Sequence, residues 1–442
     1  MIEVLLVLQV IVLGAVYLRL QRLLGRIMAL TYLVYMGAFT ILKPALLYYF
    51  DLYFPYSTND YDAVVHLLTG SLLFLTIQYL AVRYCAGYRP GKVLLSWFDV
   101  SRANPRGIWL TFLVLMVVSF VGSAIKFGDT GYLLSSASAF DATMSQAGGS
   151  WYINYLAEAL FYGAVLVMAY YCARMPAGRS FALLVFILVV TAFWAKLSAR
   201  SGVLVLLIAW LSCSLSTSRQ RSLNIFYIGA FGYLLLVILY VFNFIRLGNP
   251  EDIDFRTAAF GAVVAAASDL GPVDNATVLY SEMPHHESMQ FTPLLGALTP
   301  IVLIPSAIMP VKIRPDKDSQ LTKMLFPEGP DPIIYHEGGT LTFTVPASGY
   351  ADAGFFGVAV ASIVYAAMFC IFLGIHRWGS QSAKFVASVY MLVHVVGYRL
   401  SIESLLVSFY STLLFFGVAR WLTVALSDRR PTAAAISGAN YL

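Results

Sequence analysis

Charge is what this sequence has least of. Only 12% of its 442 residues are Asp, Glu, Lys or Arg, about half the roughly 25% of a soluble globular domain. No stretch of about 100–200 residues with ordinary polar composition can be cut from it, which excludes a separate soluble domain. Cysteine is scarce as well: Cys85, Cys172, Cys213 and Cys370 fall in or beside apolar runs and none forms a CxxC pair. That spacing points away from a zinc site and from a disulfide framework. The first apolar run, residues 2–18, lacks a basic leader and a small-residue cleavage site, so it reads as a retained span. No internal repeat is visible, which gives a repeat-built transporter fold no support. The net charge of +5 is modest and segregated into loops, so no nucleic-acid partner is expected.

What is present is apolar and aromatic. Hydrophobic residues make up 60% of the chain, with 30 Phe and 28 Tyr, and the mean hydropathy is +0.77. A spanning helix needs about 20 apolar residues. Runs near that length lie at 2–18, 27–50, 64–82, 107–125, 151–172, 181–196, 202–217, 223–245, 352–375, 385–399 and 402–425. They predict an all-α polytopic membrane protein, one integral membrane domain over 1–442 with about 11 transmembrane helices.

Sidedness follows from the short loops. Arg19, Arg22 and Arg26 fill residues 19–26, and Arg83, Arg89, Lys92, Arg102 and Arg106 lie in 83–106. Arg174 with Arg179, Arg219 with Arg221, and Arg377 with Lys384 follow at every second turn, whereas 51–62 holds acids and no bases. Positive loops stay inside, so the N-terminus is expected outside and the C-terminus inside.

Three places break this rule: Lys196 with Arg200, Arg399, and the large outer loop 246–351 with Arg246, Lys312, Arg314 and Lys317. Charges at membrane depth cost about 2.5–3.5 kcal/mol each on insertion scales, so such exceptions point to function. Within that loop, 258–268 is too short to cross, and 292–310 is broken by Pro300, Pro305 and Pro310. Re-entrant or interfacial helices are expected there.

Outward cations beside a membrane suit an anionic ligand, and guanidinium matches phosphate oxygens with paired hydrogen bonds. Arg200, Arg246, Arg399, Lys312 and Arg314 are therefore candidate ligands for a substrate diphosphate. The same cations would stabilise that group as it leaves. An attacking hydroxyl needs a base, and the outward candidates are Asp269, Asp274, Glu282, His285, His286, His336, Glu337, Asp352 and Glu403. His336 and Glu337, in a Gly-flanked loop able to close over an acceptor, are expected as the base. Glu403, one turn beyond Arg399, is expected to orient. Structural alternatives exist for each cation: Arg200 snorkelling, Arg246 on a helix dipole, Arg399 in an i,i+4 pair with Glu403, and the 312–317 cluster on headgroups. His394 reads as a packed histidine, and Glu158 as an acid that either packs or lines a cavity. His285 and His286 lack a third ligand at metal spacing, so no metal is expected.

The stretches "LSARSGVLVLL", "TPLLGALTPIVLIPSAIMPVK", "VPASGYADAGFFGVAV" and "YRLSIES", in that order over residues 190–410, resemble Wzy-type oligosaccharide repeat-unit polymerases. Ser348 stands where such proteins often carry an acid, so Asp352 or Glu337 would have to substitute. The resemblance implies a membrane glycosyltransferase at the outer leaflet of a bacterial inner membrane, working without cofactor, metal or nucleotide sugar. It would move a growing glycan from undecaprenyl diphosphate onto the next lipid-linked repeat unit, with membrane lipids and a chain-length regulator as partners. An O-antigen ligase and a lipid-linked glycan flippase or transporter are the alternative expectations.

Overall fold

The computed structural model describes residues 1–50, 60–127, 156, 158–175, 177–194, 199–217, 270–285, 288–298, 317–326 and 342–427. All regular structure among them is helical. The helices are α1 (Ile2–Leu24), α2 (Arg26–Gly37), α3 (Lys43–Phe50), α4 (Tyr61–Cys85), α5 (Lys92–Phe98), α6 (Pro105–Phe127), α7 (Ala159–Cys172) and α8 (Ala177–Trp194). They continue as α9 (Ala199–Thr217), α10 (Gly271–Glu282), α11 (Thr292–Leu298), α12 (Lys317–Leu325), α13 (Val345–Trp378), α14 (Gln381–Val396) and α15 (Ile402–Ser427).

Six helical stretches are long and apolar enough to cross a membrane: Ile2–Leu24, Arg26–Tyr49, Tyr61–Cys85, Pro105–Ile125, Val345–Trp378 and Ile402–Ser427. Shorter apolar helices occupy Ala159–Cys172, Arg179–Leu188 and Val205–Ser214. The chain is thus an all-helical membrane protein. The run expected at 223–245, and the piece at 258–268, lie outside the described residues.

The basic loops 83–106 and 377–384, with Arg174 and the end of α15, gather at one end of the bundle. Trp378 Nε1 donates to Tyr88 O at 3.1 Å, and Ser382 Oγ donates to Asp99 Oδ1 at 2.7 Å. Arg420 reaches Ser96 O, and Arg174 reaches Ser101 O. Arg89 and Arg377 both lie over the Trp378 ring, as expected of amphipathic side chains that bury a stem and keep a charge wet. Burial alone would raise the Asp99 carboxyl, but hydrogen bonds from Ser101 and Ser382 outweigh it and hold it at about 2. So 83–106, 377–384 and the end of α15 share a face, as the alternation of loops predicts.

Long-range side-chain bonds knit the helices between the two ends. Gln9 Nε2 donates to Leu68 O at 2.7 Å and Gln78 Nε2 to Ser362 O at 3.2 Å, both buried. Polar ties of this kind join helices where apolar burial alone gives little preference for one neighbour over another. His394 is packed as expected: its ring contacts Tyr365 O at 3.0 Å, while Tyr365 OH donates to His394 O at 3.1 Å.

Two helices are bent for reasons visible in their sequence. Between α2 and α3 the backbone makes a π-turn, Ala38–Leu42. Pro44 has no N–H to give the preceding turn, and the Lys43 N–H instead bonds Ala38 O. In α13 the break is sharper: Ala353 (φ −160°, ψ 40°) and Gly354 (φ 59°, ψ −142°) leave helical geometry. A side chain at Gly349 would come within 2.5 Å of Gly357 O and 2.9 Å of the Ala361 side chain. In a straight helix residues eight apart lie about 12 Å apart. Residues 345–352 therefore fold back against the helix that follows. The sequence predicts a span beginning at 352, whereas the helix starts at Val345 and turns at 353–354.

The last carbonyls of this folded-back piece, Ala351 O and Asp352 O, accept from the N–H groups of Met289 and Gln290 at 3.0 and 3.2 Å. Gln290 and Phe291 hold φ of 50° and 57° to do so, a conformation that costs a side-chain-bearing residue roughly 1–2 kcal/mol. We expect Gly357→Ala to lower the unfolding temperature measurably in detergent, because its Cβ would strike Gly349 O, a backbone atom. Overpacking of this kind costs about 1–3 kcal/mol. Gly14→Ala, with open space around its Cβ, should be neutral or slightly stabilising.

Candidate functional site

At the end opposite the basic loops, three chain segments meet around one ammonium group. Lys317, the first residue of α12, lies 2.6 Å from Asp352 Oδ1 and 3.3 Å from Glu403 Oε1. All three side chains are fully buried. Asp352 comes from the folded-back piece of α13, and Glu403 from the first turn of α15. Ser348, one turn before Asp352, accepts the Ile402 N–H at 3.2 Å, fixing these two helix starts together. One lysine thus faces two carboxylates. Glu403 Oε2 has no hydrogen-bond partner, and buried polar atoms left so are rare.

Next to Lys317 in sequence, Asp318 anchors α12. Its Oδ2 accepts from Ser401 Oγ at 2.9 Å and Ser404 Oγ at 3.1 Å, and its Oδ1 from Phe343 N at 3.4 Å. Burial pushes the Asp318 carboxyl upward, and those donors oppose the shift. The polar thread continues through Asn275 Nδ2, which donates to Thr342 O at 2.9 Å. The neighbour of Asn275, Asp274, pairs with Lys43 at 3.0 Å, both nearly inaccessible. Lys43 sits there because the π-turn ends at it. Burial pushes Asp274 up to about 6, with Lys43 pulling the other way.

Of the residues singled out in sequence, Glu403 is at this centre, Asp352 and Asp274 are in or beside it, and Arg399 is close along the chain. Arg399 closes the 3₁₀ turn Gly397–Arg399 and is half-buried. Its expected i,i+4 pair with Glu403 does not form: Glu403 is taken by Lys317, because a 3₁₀ turn and a break separate Arg399 from α15. Arg399 has no carboxylate partner among the described residues. Arg200 lies in the first turn of α9. Arg246, Lys312, Arg314, His336, Glu337, Asp269 and His286 lie outside the described residues. Glu282 is solvent-exposed, and Glu158 is half-buried at the start of α7.

Sequence reasoning missed Lys317 and Asp318 as site residues. In sequence Lys317 reads as part of an outward basic cluster facing substrate diphosphates or headgroups, whereas it is wholly enclosed. The available signal was the adjacent Lys-Asp pair opening a short polar helix, "KDSQLTKML".

Two tests follow from this geometry. Lys317→Met leaves two buried carboxylates with no cation, and breaking a buried pair costs about 3–5 kcal/mol. Thermal unfolding should show that loss, and Lys317→Met/Asp352→Asn/Glu403→Gln together should recover most of it. For Asp274, a folded value near 6 against an ordinary 3.8 means that its contribution to stability is fully present below about 3.8. It is lost as pH rises through about 6. Relative to Asp274→Asn, the native protein should therefore lose stability between pH 4 and 6, by up to about 1.4 kcal/mol per pH unit. Comparison of the chain with protein-family models, curated proteins and solved structures finds no match.

Proposed function

We propose that this protein polymerises lipid-linked oligosaccharide repeat units at the periplasmic face of a bacterial inner membrane. The six long helices, the three shorter apolar ones, α14 and the run 223–245 together would give the eleven spans. The basic end then faces the cytoplasm, by the positive-inside rule, and the Lys317 centre faces the periplasm.

The observation that carries the reading is a buried carboxylate pair, with a half-buried arginine three residues before α15 that has no carboxylate partner among the described residues, at the end opposite loops 83–106 and 377–384. In the proposed reaction an acceptor sugar hydroxyl attacks the anomeric carbon of the growing glycan. The new C–O bond forms as the bond to undecaprenyl diphosphate breaks, and the hydroxyl proton passes to a carboxylate. Asp352 or Glu403 is that base, a step typically contributing about 10²–10⁴-fold. Asp352 also supplies the acid that Ser348 lacks. Arg399, with Arg200, Arg246, Lys312 and Arg314, takes the negative charge that develops on the diphosphate. His336 and Glu337 keep a place as residues that close over the acceptor.

The break at 353–354, with a buried acid beside it, also suits a flippase or transporter, whose binding sites use interrupted helices. Deleting the gene separates the readings. A lost polymerase leaves single repeat units on the cell surface, whereas a lost ligase or flippase leaves none. Complementation with Glu403→Gln or Asp352→Asn should then give folded, membrane-inserted protein and at least 100-fold less polymer. Arg399→Lys should also fail, because an ammonium lacks the planar fork; normal polymer from all three variants would overturn the assignment.

A further inference from the structure

The catalytic carboxylates of this reading are shut away. Asp352 and Glu403 expose none of their surface, so no sugar hydroxyl can reach them in the arrangement described. The side chain that caps both is Lys317, first residue of the nine-residue helix α12. An isolated helix of that length is marginal in water, so α12 depends on what it touches. Its polar contacts are Lys317 to Asp352 and Glu403, and Asp318 to Ser401, Ser404 and the Phe343 N–H, while Met324 and Leu325 pack partly against the core. Leu321 is its fully buried apolar side chain, and Lys323 points to solvent.

A diphosphate would alter that balance. It carries more negative charge than either carboxylate, and it would arrive beside Arg399, three residues from the start of α15. We propose that α12 is a lid whose Lys317 caps the carboxylate pair in the resting protein and is drawn off by the diphosphate of the lipid-linked substrate. The lid and its Asp318 latch are read from the contacts; the diphosphate as trigger rests on the proposed function. Loading of donor thus uncovers the base, and an empty site stays closed to water.

The test is a distance measurement on the full-length protein in lipid nanodiscs, with spin labels at Lys323 on α12 and Asp62 at the exposed start of α4. Added undecaprenyl diphosphate should populate a second distance, displaced by about one helical turn (~5 Å) or more. Undecaprenyl alcohol, lacking the phosphates, should not. Asp318→Ala, which removes the latch and leaves the carboxylate pair intact, should populate that second distance with no ligand. One unchanged distance under all three conditions overturns the lid. Opening in Asp318→Ala without any response to undecaprenyl diphosphate keeps the lid and overturns the diphosphate trigger, and with it the proposed substrate. Equal opening by the alcohol would overturn Lys317 as the sensing group.

Discussion

The far end of this bundle depends on the attraction between one lysine and two carboxylates in a place without water. An ammonium and a carboxylate each lose several kcal/mol of hydration when buried, and only close, well-oriented pairing repays it. Lys317 lies 35 residues before Asp352 and 86 before Glu403, so the pairing draws together segments with no local reason to meet. Apolar packing cannot do this in lipid, where a leucine gains little by leaving one apolar surroundings for another. Ser348, Ser401, Ser404 and Asp318 then fix the angles at which those segments arrive.

A second ion pair, Lys43 with Asp274, joins the early helices to the same region. Asn275 and Thr342 link it toward Asp318. The buried acids outnumber the buried lysines here: Asp274, Asp318, Asp352 and Glu403 against Lys43 and Lys317. A purely structural core would not need that excess, since apolar residues of similar volume hold helices together as well or better. Such a surplus of buried acid in a membrane protein is characteristic of sites that handle protons or charged groups.

The helices were legible because their signal is long: some twenty apolar residues in a row leave few alternatives, and α1, α4, α6 and α15 lie where the runs predict. The meeting of loops 83–106 and 377–384 was legible from their arginines, and Trp378 with Tyr88 and Asp99 with Ser382 join them at one end. The site was harder to see. Glu403 and Asp352 stand out as acids near apolar runs, but their partner is a lysine that closes the basic cluster 312–317, between Asp316 and Asp318. The one local hint is the Lys-Asp pair that opens the short polar helix, and it does not name a carboxylate partner 35 or 86 residues away. The alternative reading of Arg399 as an i,i+4 partner of Glu403 does not hold, because the extended Leu400 interrupts the helix between them and such neighbours then no longer share a face.

The fold-back in α13 has a consequence for how the chain fits its solvent. A straight helix of 34 residues would be about 51 Å long, far beyond the roughly 30 Å of hydrocarbon it must cross. Tilt absorbs some excess length, but 20 Å would demand an extreme angle. By turning at Ala353 and Gly354, the chain keeps about 36 Å for the crossing and returns the first turns to the membrane surface. The bend that carries Asp352 to Lys317 is thus also a length correction, and a side chain at Gly349 or Gly357 would undo both.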